Sequence, residues 1–242
     1  TAQGALAEAR AARAARANLV ANMSHEIRTP LHAVMGTTSL LLETDLSADQ
    51  RSLTDRSMRA ARTLLSLVDD VLDLTRFDAR QVVLDSAPFD PGALVEEIAE
   101  VAAPLAAQKG LDVAAFVSAE CPVALMGDPA RIRQALMRLV DNAIKFTDTG
   151  EVTVDVGWEL HEDGVPRARF TVSDTGIGVG EDERARLFQA FEQVDGSNTR
   201  RHGGVGLGLA LVARIARATH GEVRIQSRAG QGARFTLALP LE

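Results

Sequence analysis

In "NMSHEIRTPL", residues 22–31, His25 and Glu26 stand side by side and Pro30 follows within about one helical turn. The surroundings read as helix, and Pro30 removes one N–H from it, so the helix is expected to weaken there. In "DNAIKF", Asn142 and Lys145 are three residues apart and share a helix face. An amide oxygen can coordinate Mg²⁺ and an ammonium can reach phosphate oxygens, so that face suits a metal-nucleotide. "DTGIG" sets Asp174, Gly176 and Gly178 at the end of a predicted strand. A carboxylate there can accept from an adenine amino group, while the glycines admit a ligand close to the backbone. "GGVGLGL" runs Gly203, Gly204, Gly206, Leu207 and Gly208 into a helix start, where free N–H groups favour phosphate. It is not a Walker loop, because no Lys-Ser/Thr follows, and no predicted strand precedes it as a dinucleotide-binding turn requires. Either glycine cluster alone fits a plain loop. All three clusters in one domain do not.

These residues need elements to position them. Leu19, Met23, Ile27, Leu31, Val34 and Thr38 recur at the period of one helix face. After "TDLSADQ", Ser47 and Gln50 form a capping box that opens a second helix. There Ala60, Leu64, Leu67, Val71 and Leu74 run parallel to Ala61, Leu65, Val68 and Leu72. That stripe is too wide for one antiparallel partner, so the hairpin is expected to complete a four-helix bundle with a second copy of the chain. His25 lies roughly 200° around the helix from Met23 and from Ile27, away from the seam.

After "FDARQ" the texture changes, which places a domain boundary near residues 79 to 82. "VVLDSAPF" reads as a strand, and the helix opened by Asp90 and Pro91 should be interrupted or bent at Pro104. "LDVAAFV" and "VALMG" read as short strands. Asp128 and Pro129 are N-cap and first residue of the helix that carries "DNAIKF". Val152, Val154 and Val156, then Ala168, Phe170 and Val172, alternate as half-buried strands. The end of the chain is a hairpin around Ala229 to Gly232. Helices on one sheet, an α/β sandwich, are the expected architecture of residues 80–242. Residues 1–79 form the helical hairpin, with 1–15 the end of an upstream helix.

Composition narrows the classes. Of 242 residues, 46% are hydrophobic and only 4% aromatic, so the core must rest on Leu, Val, Ile and Ala. A net charge of -7 argues against a nucleic-acid binder. The lone Cys121 excludes an intrachain disulfide and fits a reducing, cytoplasmic setting. No apolar run is long enough to span a membrane, and no signal peptide is visible. The start at Thr1, inside an Ala/Arg-rich helical pattern, reads as a fragment cut from a longer protein.

The order Asn helix, DxGxG, GxGxG closely resembles the histidine-kinase branch of the GHKL ATP-binding superfamily. "MSHEIRTPL" resembles the phosphoacceptor box of two-component sensor histidine kinases. "LFQAFEQVDGSNTRRHGGVGLGL" is similar to the F box and ATP lid of their hybrid-type members. The resemblance runs from about residue 15 to 240, and it implies a sensor domain upstream of Thr1. It implies autophosphorylation of His25 by ATP, with Glu26 as neighbouring base, and transfer to an Asp of a response-regulator receiver domain, fused or separate. Thr29 matches the position that serves the reverse phosphatase reaction, and bending at Pro30 is expected to exchange the two activities. The resemblance assigns Asn142 to Mg²⁺, Lys145 to phosphates and Asp174 to adenine, and sets the Gly204 to Gly208 segment against the triphosphate. Phe188 and Phe191 anchor the lid in this reading, with Arg200 or Arg201 near the γ-phosphate.

The chain departs from that pattern at three positions. Arg138 stands where the family commonly has a second Asn, Val205 where many relatives have Thr, and His202 where many have Tyr. The enzyme alternative is a gyrase-, Hsp90- or MutL-like ATPase, which needs a water-activating Glu at the position of Arg138 and lacks the His-Glu hairpin. The non-enzyme alternative is a degenerate kinase serving as a dimeric, nucleotide-binding scaffold.

Overall fold

The computed structural model describes residues 2–79, 81–161, 164–184, 186–192 and 205–242, with side chains at Val20 and from Met23 onward. The chain divides into two compact units, residues 1–82 and 83–242.

The first unit is a hairpin of α1 (Ala2–Leu42) and α2 (Ala48–Asp78). The capping box forms as expected: Gln50 N donates to Ser47 Oγ (3.3 Å) and Ser47 N to Gln50 Oε1 (2.9 Å). An ion pair between Arg28 and Asp69 (2.7 Å) and a bond from Arg51 to the Leu42 carbonyl (3.2 Å) fix the antiparallel register. Thr38 faces inward with Met58, Ala61, Leu72, Leu74 and Phe77. Of the α2 rows, Leu65, Leu67, Val68 and Val71 are half-buried and Leu64 is 47% exposed, while on α1 Met23 is 54% and Val34 51% exposed. The α2 stripe is thus covered in part, with Ala60 and Leu64 left exposed.

Neither proline interrupts its helix. α1 continues through Pro30, and α3 (Pro91–Ala107) continues through Pro104. In both places the residue four back, Glu26 or Glu100, lies exposed, so water can satisfy the carbonyl that proline leaves without a partner.

The second unit is a five-stranded sheet in the order β2-β4-β5-β7-β6, with a separate antiparallel pair of β1 (Ala87–Phe89) and β3 (Leu125–Gly127). β2 (Asp112–Val117) runs parallel to β4 (Glu151–Leu160). β5 (Pro166–Asp174), β7 (Ala233–Leu239) and β6 (Glu222–Ser227) follow antiparallel. The strand expected over "VVLDSAPF" shrinks to Ala87–Phe89, because only those residues find a partner, in Leu125–Gly127. A short α5 (Glu181–Arg184) was not anticipated.

Helix α3, α4 (Pro129–Phe146) and α6 (Gly208–Ala218) pack on one face of the sheet. Val152, Val154, Val156, Phe170 and Val172 meet Ile132, Leu136, Leu139, Val140, Leu211 and Ile215 there, all at 0–1% exposure. Period-two strands and an amphipathic helix thus produce one aliphatic core. The other face of the sheet carries charge, with Arg169 between Asp155 (3.9 Å) and Glu159 (3.8 Å). Among the described residues no helix is long and apolar enough to cross a membrane.

Candidate functional site

The nucleotide-type motifs come together around α4. Asp128 caps its start, accepting from Arg131 N (3.0 Å), and Pro129 supplies the preset first turn. Asn142 and Lys145 lie half-buried on one face near its end. The start of α6 stands against that face. A Cβ on Gly208 would lie 3.8 Å from Arg138 Cδ and 4.0 Å from Asn142 Nδ2. The free N–H groups of the α6 first turn therefore open beside the Asn142 amide.

The "DTGIG" loop attaches at the same, C-terminal end of α4. Ile177 N donates to the Phe146 carbonyl (3.2 Å). Gly176 permits this approach, since a Cβ there would fall 2.3 Å from the same carbonyl oxygen. Gly178 has φ +64°, and a Cβ would fall 2.0 Å from the Arg228 carbonyl oxygen. Alanine at 176 would force the loop off α4, and alanine at 178 would force it off the Arg228 to Gly232 turn.

Asp174 ends β5 and is half-buried. Its Oδ1 accepts from Gly176 N (2.9 Å) and Ala233 N (3.3 Å). Burial raises its pKa above the usual carboxylate range, and those two backbone donors pull it back in part. Among the described residues no donor reaches Oδ2, so one oxygen is fixed and the other is left for an incoming amino group. Sequence reasoning found Asp174 but not its second donor, because Ala233 joins only through the β5–β7 pairing.

Lys145 has its pKa lowered by burial, and its ammonium lies 4.7 Å from the Phe146 ring centre. Arg138 pairs with Asp141 at 3.8 Å. Burial raises the Asp141 carboxyl and Arg138 opposes the shift. Lys109, which carried no signal in sequence, donates to the carbonyls of Ile144 (2.8 Å), Lys145 (2.9 Å) and Thr147 (3.3 Å). Only the packing of the α3–β2 turn against α4 brings it there.

At the lid, Phe191 N donates to the Gly206 carbonyl (3.1 Å), with Phe191 at φ 67° and Gly206 at φ 75°. The Phe191 ring is 68% exposed, so the tie runs through its backbone. Phe188 is half-buried and Leu207 fully buried. Arg200, Arg201, His202, Gly203 and Gly204 lie outside the described residues. Among the described residues no group of three His, Cys, Asp or Glu side chains could cage a metal ion.

In the hairpin, His25, Glu26 and Thr29 are all exposed on α1. Thr29 Oγ1 donates to the His25 carbonyl (3.2 Å), so its proton is engaged while its lone pairs are open. Ser24, next to His25, is buried.

Comparison with known proteins falls on both units. Residues 15–80 match the family described as "His Kinase A (phospho-acceptor) domain". Residues 127–242 match "Histidine kinase-, DNA gyrase B-, and HSP90-like ATPase". The chain is 37% identical over 239 residues to the signal transduction histidine-protein kinase BarA of Escherichia coli K12, covering 98% of this chain and 26% of that protein. It is 39% identical to the sensory/regulatory protein RpfC of Xanthomonas campestris, covering 98% of this chain and 33% of that one. It thus spans about a quarter to a third of those curated relatives. Among solved structures, full-length ShkA in complex with AMPPNP superposes with a TM-score of 0.76 at 40% identity, over 93% of this chain and 46% of that one. The Acinetobacter baumannii histidine kinase AdeS shares the fold, with a TM-score of 0.62 at 24% identity over 89% of this chain and 97% of that one.

Proposed function

Because the chain belongs to the sensor histidine kinases, with a phosphoacceptor hairpin followed by an ATPase-type domain, we propose that it phosphorylates His25 with ATP and passes the phosphoryl group to an aspartate of a response-regulator receiver domain. The observation that carries this reading is the convergence on α4: Gly208 beside Asn142, and Ile177 bonded to Phe146. Two glycine loops that each fit an ordinary turn are thereby joined to one helix bearing an amide and an ammonium.

Residues 1–79 are the dimerisation and phosphotransfer part, and 80–242 the catalytic part. Asp174 Oδ2 accepts from the adenine amino group. Lys145 and the first turn of α6 face the phosphates, and the Asn142 amide oxygen offers a ligand to Mg²⁺. That cation supplies charge neutralisation when bound. In-line transfer needs little beyond such positioning and neutralisation. Glu26 orients one ring nitrogen of His25 and accepts proton density, which frees the other nitrogen for attack on the γ-phosphorus. The bond to the leaving oxygen of ADP breaks as the N–P bond forms. Thr29 has lone pairs able to align a water for the reverse, phosphatase reaction. Arg200 or Arg201 stands near the γ-phosphate in this scheme.

Incubation with γ-labelled ATP and Mg²⁺ should leave an acid-labile, base-stable label on the chain, as a phosphoimidazole requires. Wild-type protein that binds ATP but takes no label would favour the scaffold reading instead.

The exposed row of Met23, Ile27, Val34 and Leu64 supports a homodimer through the hairpin. Sedimentation should give a dimer that Ile27→Glu with Leu64→Glu converts to monomer. A monomer in the wild type at tens of micromolar would count against the bundle.

A further inference from the structure

We propose that Lys109 is a positioning residue for the nucleotide site, acting through the last turn of α4; this rests on the ATP reading above. The final carbonyls of a helix have no partner within it, and they carry the negative end of its dipole. Here one ammonium supplies three donors to that end, on Ile144, Lys145 and Thr147. The chain delivers it from the turn after α3, where Gly110 at φ +71° reverses direction into β2.

What distinguishes this from an ordinary cap is the content of the turn being held. Lys145, whose side chain faces the phosphates, has its own carbonyl bound by Lys109. The Phe146 carbonyl, which lies among the bonded ones, accepts from Ile177 N and so holds the base-binding loop. Asn142 is about one turn earlier on the same helix. The phosphate end and the base end of the nucleotide are thus referred to a single helical turn, and Lys109 determines where that turn ends. Without the ammonium the last carbonyls must find water. The turn can then fray, and the spacing between Asp174 and Asn142 is no longer fixed.

The test uses the whole chain, with ATP and adenosine dissociation constants measured by calorimetry well below each variant's melting midpoint. Lys109→Met keeps the aliphatic stem and removes all three donors. It should weaken ATP about tenfold, the scale set by hydrogen bonds to a charged group. Adenosine should weaken too, while the labelling rate at saturating ATP stays within about twofold. Lys109→Arg should restore at least half of the lost affinity on a logarithmic scale. Val156→Ala, a core truncation remote from α4's end, should lower the melting midpoint and leave ATP affinity unchanged. Lys109→Met matching wild type for ATP would overturn the inference alone, as would an equal loss in Lys109→Arg or in Val156→Ala. Wild-type protein that binds no ATP would overturn the site reading and this inference together.

Discussion

His25→Gln should reduce the acid-labile label to background, about a thousandfold or more, because the amide that replaces the ring has no nucleophilic nitrogen. ATP affinity should remain that of the wild type, since every proposed nucleotide contact lies in residues 83–242. The informative control is His32. It lies two helical turns from His25, on the same stripe of α1, and is equally exposed. Its neighbours are Leu31 and Ala33, so it has no adjacent carboxylate to orient its ring. His32→Gln should therefore keep full labelling. Label that persists in His25→Gln and vanishes in His32→Gln would move the acceptor and remove the role given to Glu26.

Asp174→Asn should weaken ATP about a hundredfold, and the reason is orientation as much as charge. The amide has one acceptor, and the two N–H groups of Gly176 and Ala233 both claim it at the Oδ1 position. Its NH₂ must then occupy the place of Oδ2, where it meets the adenine amino group donor to donor. Loss of a charge-assisted hydrogen bond alone is about 1.5–3 kcal/mol, or roughly 10- to 150-fold. The same carboxyl gives a pH signature. Burial raises its pKa, so protons compete for it at higher pH than for an ordinary aspartate. ATP affinity should fall on acidification, beginning above the usual Asp range, and Asp174→Asn should lose that dependence. Wild-type affinity that stays flat down to pH 4 would remove Asp174 from the adenine contact.

Local signals carried the reading wherever the cause of a structure was itself local. Ser47 with Gln50, and Asp128 with Pro129, marked two helix starts that the fold places as expected. Alternating Val152, Val154 and Val156 marked a strand because one face is dry and the other wet. Errors arose where a partner or a solvent decided. "VVLDS" has strand-forming residues, yet no neighbouring strand reaches them. Pro104 was expected to interrupt or bend its helix, yet α3 runs on through it, on a wet face where the missing donor does little harm. The site divides along the same line. Asn142, Lys145 and Asp174 could be singled out because three motifs in one domain, in that order, resemble the histidine-kinase pattern. Ala233 and Lys109 were not, because they enter only through the β5–β7 register and the packing of a turn.

The proline in α1 has a mechanical consequence. At about 1.5 Å per residue, α1 is a shaft roughly 60 Å long, unbroken from Ala2 to Leu42. Its torsional stiffness comes from a ladder of rungs, and Pro30 removes one rung, at the Glu26 carbonyl. The soft point therefore lies on the C-terminal side of His25, toward the turn into α2. A twist entering from the N-terminal side reaches the histidine through stiff helix and meets the compliant segment only afterwards. His25 lies on the N-terminal side of the missing rung, and Arg28, paired with Asp69, lies within it. A torque applied at the N-terminal end would thus reach His25 as rotation before it met the missing rung.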